Sequence, residues 1–130
     1  MDAFPYFQRY FSKKQANQLL DVLQPLVLEM MQAAEVLLGH HPEMAPMLEK
    51  AINNGGIHKP GAALEASLRV QDLATQIKSY DVLIKDVRNG LIDFPSRREG
   101  RIVLLCWRYG EPEVAHWHEI DTGYADRQPL

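Results

Sequence analysis

The stretch from residue 12 to residue 39, SKKQANQLLDVLQPLVLEMMQAAEVLLG, carries the pattern on which the fold prediction depends. Ser12 followed by Gln15 is typical of a capping box at a helix N-terminus, and Gly39 is typical of a helix end. Between them, apolar residues recur with alternating spacings of four and three, as in a helix that packs along another helix. This seam consists of Ala16, Leu20, Leu23, Val27, Met30, Ala34 and Leu37.

Pro25 falls inside the seam pattern, although a proline in a helix removes one hydrogen bond and costs about 3 kcal/mol. The apolar spacing continues in phase across Pro25, and burial of each large seam residue contributes about 1.5 to 3 kcal/mol. We therefore predict one kinked but continuous helix. Lys13 and Lys14 oppose the helix dipole in the first turn, and the sequence offers no reason for them.

A second periodic segment follows a short predicted helix from Glu43 to Asn53 and a Gly- and Pro-rich loop, residues 54–61, that we expect to be mobile. Asn89-Gly90 supplies a C-cap signal at its end. Two seams of similar length predict a long antiparallel helical hairpin over about residues 12–89. The second seam consists of Val70, Leu73, Ile77, Tyr80, Ile84 and Val87.

The C-terminal third predicts strands. Leu91 to Phe94, before Pro95, suits a short edge strand, whereas Arg101 to Arg108 is apolar on both faces, as in a central strand. Residues 114–121 alternate as a returning strand. The expected fold class is α+β, mainly α: the helical hairpin with a small C-terminal antiparallel β-meander over about residues 91–121, all in one domain.

Composition limits the class of protein. Apolar residues make up 46% of the 130 residues and charged residues 24%, as in an ordinary globular domain. The net charge of −3 argues against broad adhesion to nucleic acid or an anionic membrane. A single cysteine, Cys106, no signal peptide and no run of about 18 apolar residues favour a cytoplasmic protein.

The first helix has more apolar surface than one partner helix needs, because five further apolar residues widen its stripe. Either the predicted strands or a second copy of the protein must cover this flank, since monomers seldom expose large apolar patches. We therefore expect a homo-oligomer, a dimer or a tetramer. The flank consists of Leu19, Val22, Leu26, Met31 and Leu38.

His116 and His118 lie two residues apart on the last predicted strand, so both side chains share one face about 7 Å apart. That spacing suits two ligands of a divalent transition metal. Further ligands must come from elsewhere, with Asp93, Glu111 or His58 as candidates. The simpler interpretation is a half-buried polar face, because a motif without its context is weak.

A ligand pocket is a second hypothesis for the same strands. An arginine, Arg108, binds an anionic group in it, and the tryptophans supply flat walls. The competing interpretation is an ordinary Arg–Glu cross-strand pair, worth about 0.2 to 1 kcal/mol. The candidate ligand-binding residues are Trp107, Arg108, Glu111, Trp117 and Glu119.

Four stretches together resemble the bacterial family called domain of unknown function 2203: YFSKKQANQLL (10–20), GLIDFP (90–95), LCWRYGEPE (105–113) and WHEIDTGYADRQPL (117–130). The resemblance does not extend to residues 39–68. It implies a small bacterial protein without an established activity, and it shifts interest from His116 towards His118 with Glu119 and Arg108. The family signature includes Trp107, Arg108, Glu111, Trp117, His118 and Glu119.

Two functions fit these observations. The first is a non-enzymatic, self-associating helical-hairpin module that acts in protein interaction or structure. The second is a small metal- or anion-binding protein, or an enzyme, with a site around His118, Glu119 and Arg108. The sequence leaves open whether the protein is an enzyme, because catalysis by a carboxylate depends on burial that a sequence does not display.

Overall fold

The computed structural model describes residues 7–54 and 62–130. Within these ranges the chain forms three α-helices followed by a five-stranded sheet. The helices are α1 (Lys13–His40), α2 (Ala45–Asn54) and α3 (Ala62–Lys78), and the strands are β1 (Leu83–Asp86), β2 (Leu91–Arg98), β3 (Arg101–Arg108), β4 (His116–Glu119) and β5 (Gln128–Pro129). Short 3₁₀ turns cover Pro42–Met44 and Tyr124–Asp126.

The first predicted helix is confirmed as continuous through Pro25. The Ser12 hydroxyl accepts a hydrogen bond from the Gln15 amide at 3.1 Å, and the Ser12 amide donates to the Gln15 side chain at 2.9 Å. All seven seam residues are buried. The stabilisation from the capping box and from the burial of one face therefore exceeds the cost of the hydrogen bond that Pro25 removes.

Contacts at the start of α1 supply the account of Lys13 that the sequence lacked. The Lys13 ammonium lies 3.5 Å from Glu113, in the connection between β3 and β4. One turn further on, the Asn17 side chain accepts a hydrogen bond from the Val114 amide at 2.7 Å and donates to the Val114 carbonyl at 3.2 Å. The N-terminal turn of α1 is thus fixed to the sheet.

The predicted second helix is wrong beyond Lys78, so the long matched hairpin is not formed. α3 is 17 residues long and packs against α1, and beyond its end Asp81 adopts a φ of 67° that ends the helical path. Val82 and Ile84 are both buried, as in a strand of period two, and β1 pairs with β2 through Ile84 and Ile92. The apolar spacings of three and four from Ile77 to Val87 fit a helix only by coincidence. β-branched residues that are buried at alternate positions favour a strand instead. The loop predicted to be mobile falls mostly on residues 55–61, outside the described residues.

The sheet is antiparallel with the order β1-β2-β3-β4-β5, so it is wider than the predicted meander. The prediction that β3 is central is confirmed, whereas β2 is not an edge strand, because β1 and β3 flank it. β1 pairs only as far as Asp93 and does not reach Pro95. There the N-terminal segment takes its place, since the Phe11 amide donates to the Pro95 carbonyl at 2.7 Å. Pro95 is tolerated there because this contact uses its carbonyl oxygen and needs no N–H from it.

One hydrophobic cluster joins the helices to one face of the sheet. It also covers most of the flank of α1: Leu38 is buried, and Leu19, Leu26 and Met31 are half-buried against the cluster. Val22 alone among the five flank residues is exposed, at 42%. The fold itself therefore covers most of the surface on which the prediction of self-association depended.

α1 also has the length and the mean hydropathy, 1.3 over 18 residues, of a helix that crosses a membrane. The core helix of a soluble protein meets the same criterion, and the seam of α1 packs against the other elements of the fold.

Candidate functional site

The sheet has a second face that points away from the helices, and that face carries the candidate site. Along β3, Val103, Leu105 and Trp107 belong to the hydrophobic cluster, so Leu104 and Cys106 point to the opposite side. Cys106 pairs with Asp93 on β2 and with His116 on β4, while Leu104 pairs with His118. We call this set, Asp93, Leu104, Cys106, His116 and His118, the distal face.

Three potential metal ligands converge on the distal face. The donor atoms of Asp93, Cys106 and His118 all lie within 4.8 Å of one another. The three residues are 0%, 0% and 3% exposed. His118 Nε2 lies 2.9 Å from Asp93 Oδ2, whereas Asp93 Oδ1 is buried with no hydrogen-bond partner in residues 7–54 and 62–130. A buried carboxylate oxygen without a partner costs about 1 to 3 kcal/mol, so this atom calls for an explanation.

The backbone fixes the orientation of the His118 ring. His118 Nδ1 lies 2.7 Å from the carbonyl oxygen of Glu119, which only accepts hydrogen bonds, so Nδ1 carries a proton and donates. Nε2 therefore faces Asp93. The hydrogen bond with Asp93 raises the pKa of His118 above its usual value, although burial opposes the shift. A histidine that donates from one ring nitrogen to a backbone carbonyl has the arrangement common in metal ligands.

The Cys106 side chain is a protonated thiol in this environment. Burial, followed by the nearby charge of Asp93, raises the pKa of Cys106 to about 12, even though Arg127 acts in the opposite direction. A buried thiol with so high a pKa is a poor nucleophile. A bound metal ion, by contrast, displaces the thiol proton and takes the thiolate as a ligand.

An ion pair between Glu111 and Arg127 borders this group of three. Arg127 Nη1 donates to Glu111 Oε1 at 2.9 Å, Nη2 bonds to Oε2, and Nη1 also lies 3.9 Å from Cys106 Sγ. Burial acts to raise the pKa of Glu111, but the bonds from Arg127 and from the Arg108 amide lower it overall. β5 and the bond from the Leu130 amide to the Ala115 carbonyl at 2.9 Å hold this C-terminal segment against β4.

The structure places the two predicted metal ligands on one face, as period two requires, but brings only His118 into the group of three. His116 Nδ1 is buried and lies 4.0 Å from Glu111 Oε2. Of the proposed additional ligands, Asp93 joins the group, Glu111 lies beside it, and His58 is outside the described residues. Sequence reasoning missed Cys106 as a ligand, because its position within an apolar run indicated only packing.

The structure brings three of the five residues proposed as one ligand pocket into contact, because Glu111 bonds to Trp107 and to the Arg108 amide, but it does not bring all five together. Trp107 and Trp117 are buried in the cluster, and the Trp107 indole donates to the Glu111 carbonyl at 3.1 Å. Glu119 forms a cross-strand pair with Arg101 at 2.7 and 3.1 Å rather than with Arg108. Arg108 points to the distal side of β3.

Comparison of the chain with curated proteins and with solved structures found no match. Comparison with models of protein families did find one, and its model matches residues 9–130, nearly the whole chain. The chain therefore belongs to the family of uncharacterized conserved proteins called DUF2203.

Proposed function

We propose that this protein binds a divalent transition-metal ion through Asp93, Cys106 and His118. The observation that supports this function is the convergence of a carboxylate, a thiol and an imidazole from three neighbouring strands within 4.8 Å, all buried. Asp93 Oδ1, which has no hydrogen-bond partner among the described residues, adds a lone pair that a cation would satisfy.

The types of donor atom select the class of metal. Thiolate and imidazole suit Zn²⁺ and its transition-metal neighbours, whereas Ca²⁺ and Mg²⁺ prefer oxygen ligands alone. His118 contributes Nε2, because Nδ1 is engaged with the Glu119 carbonyl. Three protein ligands leave a coordination position for water or a substrate, as in catalytic zinc sites. A bound ion would supply Lewis-acid character or an activated water there.

A buried His–Asp pair beside a packed cysteine is the competing interpretation, since it needs no metal. It accounts for the bond between His118 and Asp93 Oδ2, but it leaves Asp93 Oδ1 unsatisfied. It also accounts for the position of Cys106, because the buried thiol forms a hydrogen bond with the Asp93 side chain. The observation that favours the metal site is Asp93 Oδ1, which has no hydrogen-bond partner among the described residues.

The test is a Zn²⁺ and Co²⁺ titration of protein purified without a histidine tag. We expect about one equivalent of metal, with a thiolate-to-cobalt charge-transfer band that Cys106→Ser removes. Asp93→Asn and His118→Gln should each weaken binding at least about tenfold, whereas His116→Gln is the matched control and should bind like the wild type. If the wild-type protein retains less than about a tenth of an equivalent after zinc addition, the site is structural only.

A groove between two helices supports self-association as a second candidate function. It has a volume of about 300 Å³ and is lined by Glu29, Ala33 and Val36 of α1 and by Ala66 and Arg69 of α3. Val36 is 60% exposed. Arg69 pairs with Glu29 across the groove at 3.2 Å, so both charges are present on one surface. In a dimer with a two-fold axis, the Arg69 of one copy can face the Glu29 of the other. We therefore propose that a second copy of the protein occupies the groove.

Size-exclusion chromatography with light scattering tests the second candidate. We expect the wild type to form a dimer that dissociates on dilution, and Val36→Lys should yield a monomer. Val22→Lys is the matched control, because Val22 is exposed on α1 but does not line the groove. A monomeric wild type at high concentration, or equal effects of the two substitutions, would exclude this interface.

A further inference from the structure

A second, smaller cavity lies where β1, β2 and β3 meet the C-terminal 3₁₀ turn. Its volume is about 130 Å³, and its lining consists of Asp86, Asn89, Leu91, Arg108 and Tyr124. Arg108 and Leu91 are paired neighbours on β3 and β2, so both belong to the distal side of the sheet. This side also carries Cys106, which precedes Arg108 by two residues on β3. Two residues of a strand span about 7 Å.

The Arg108 guanidinium is placed to bind a ligand. It donates one hydrogen bond, from Nη2 to Asn89 Oδ1 at 3.1 Å, and it forms no ion pair with the described residues of the chain. Its other N–H groups thus lack a protein acceptor in this part of the chain. The backbone of Arg108 is held in place, because its amide donates to Glu111 Oε1 at 2.7 Å.

Tyr124 forms an aromatic wall of the cavity and links it to the neighbouring ion pair. The Arg108 guanidinium carbon lies 5.6 Å from the centre of the Tyr124 ring, and that of Arg127 lies 4.1 Å from it. Glu111 neutralises Arg127 but makes no salt bridge with Arg108. Among the described residues that line the cavity, Arg108 therefore carries the positive charge available to an anion.

Asp86 limits which anion fits. Its two carboxylate oxygens accept hydrogen bonds from the Asn89 amide at 3.1 Å and from the Asn89 side chain at 2.7 Å. Its charge still lies in the lining and repels a ligand in proportion to the ligand's negative charge. A singly charged carboxylate is favoured over a phosphate dianion for this reason.

We infer that the cavity binds the carboxylate of a small organic acid through Arg108, with the rest of the ligand directed towards the metal ligands Cys106, Asp93 and His118. Arginine recognises carboxylates through two parallel hydrogen bonds, and the guanidinium has donors available for both. The direction towards the metal rests on the proposed function, whereas the carboxylate site itself does not.

The test follows the Arg108 side-chain N–H signals by NMR during titration with acetate and, separately, with inorganic phosphate. We expect acetate to shift these signals saturably and to bind more tightly than phosphate. Arg108→Gln should reduce acetate affinity at least about tenfold. Arg97→Gln is the matched control, because Arg97 lies over a tyrosine ring at 4.3 Å on the same side of the sheet but does not line the cavity. Asp86→Asn should tighten the binding of both anions.

Two preparations separate this inference from the metal site. Acetate binding to metal-free protein tests the cavity alone, and absence of a saturable shift, or equal losses in the Arg108 and Arg97 variants, overturns it even if zinc binds. If a longer acid reaches both the cavity and the metal, zinc should raise the affinity for a dicarboxylate such as glutarate in the wild type but not in Cys106→Ser. Acetate, by contrast, is too short to span the roughly 7 Å. An unchanged affinity after zinc loading overturns the shared ligand while the carboxylate site stands.

Discussion

The imidazole ring of His118 has an acceptor on each side, the Glu119 carbonyl at 2.7 Å and Asp93 at 2.9 Å. Both ring nitrogens can donate only in the charged imidazolium, which is why the pKa of His118 is raised. A proton on Nε2 therefore takes the position that a metal ion would have in the proposed site. The unusual chemistry of this residue comes from its two neighbours, since a histidine in water has no such partners.

Asp93→Asn should lower the pKa of His118, because the amide keeps the shape of the carboxylate and removes its charge. Since the pKa of His118 is raised in the folded protein, the pair stabilises the metal-free fold below the unfolded pKa of about 6.5. That stabilisation is lost as the pH rises through the folded pKa. NMR titration of the His118 ring and urea unfolding at several pH values measure both effects. Equal His118 pKa values in wild type and variant would contradict the role assigned to Asp93, and His116→Gln serves as the control.

At the scale of the elements, α1 packs closely against the turn that joins β1 to β2. Gly90 adopts a φ of 64°, and a Cβ atom at this position would lie 2.6 Å from Met31 Sδ and 2.7 Å from Tyr109 Cβ. The helix flank thus packs directly on the backbone of the turn. This contact explains why Met31, which the sequence left without a partner, is covered within the chain.

Gly90→Ala should lower the free energy of unfolding by about 2 to 5 kcal/mol, the sum of a left-handed backbone cost and an overpacking cost. Gly100→Ala is the matched control: its φ is 79°, but no atom lies within 4 Å of the added Cβ. It should cost only about 1 to 2 kcal/mol. Urea unfolding of the two variants measures the difference, and similar losses in both would show that α1 does not approach the turn this closely.

For the whole molecule, a metal ion at the candidate site would join β2, β3 and β4, the strands that carry Asp93, Cys106 and His118. An ion that binds only the folded chain stabilises it by mass action. Binding must also displace the thiol proton of Cys106, whose pKa is about 12, and the imidazolium proton of His118. Stability and proton release are therefore linked through one site.

Zinc at about 100 times its dissociation constant should stabilise the wild type by about 2.7 kcal/mol. At a fixed zinc concentration the stabilisation should be larger at pH 8 than at pH 6, because fewer protons compete for the ligands at high pH. Thermal unfolding with and without zinc measures this effect, with Cys106→Ser as the variant that should not respond. A stabilisation that is independent of pH, or that persists in Cys106→Ser, would place the ion elsewhere.

The sequence alone determined α1, its capping box and its seam, because short-range hydrogen bonds and a repeat of apolar residues are both encoded locally. It also determined that β3 is central and that His116 and His118 share a face, since strand geometry has a fixed period of two. The sequence-based prediction was wrong at residues 79–87. The apolar spacings of three and four there fit a helix, but pairing with β2 makes part of this segment a strand.

Only the tertiary structure decided the candidate site. Asp93, Cys106 and His118 are separated along the chain by 13 and 12 residues, and the register of three strands brings their donor atoms within 4.8 Å. Arg127 reaches Cys106 only because β5 folds back on β4. Register and burial arise from contacts between segments distant in sequence, and a local pattern of residues does not contain them.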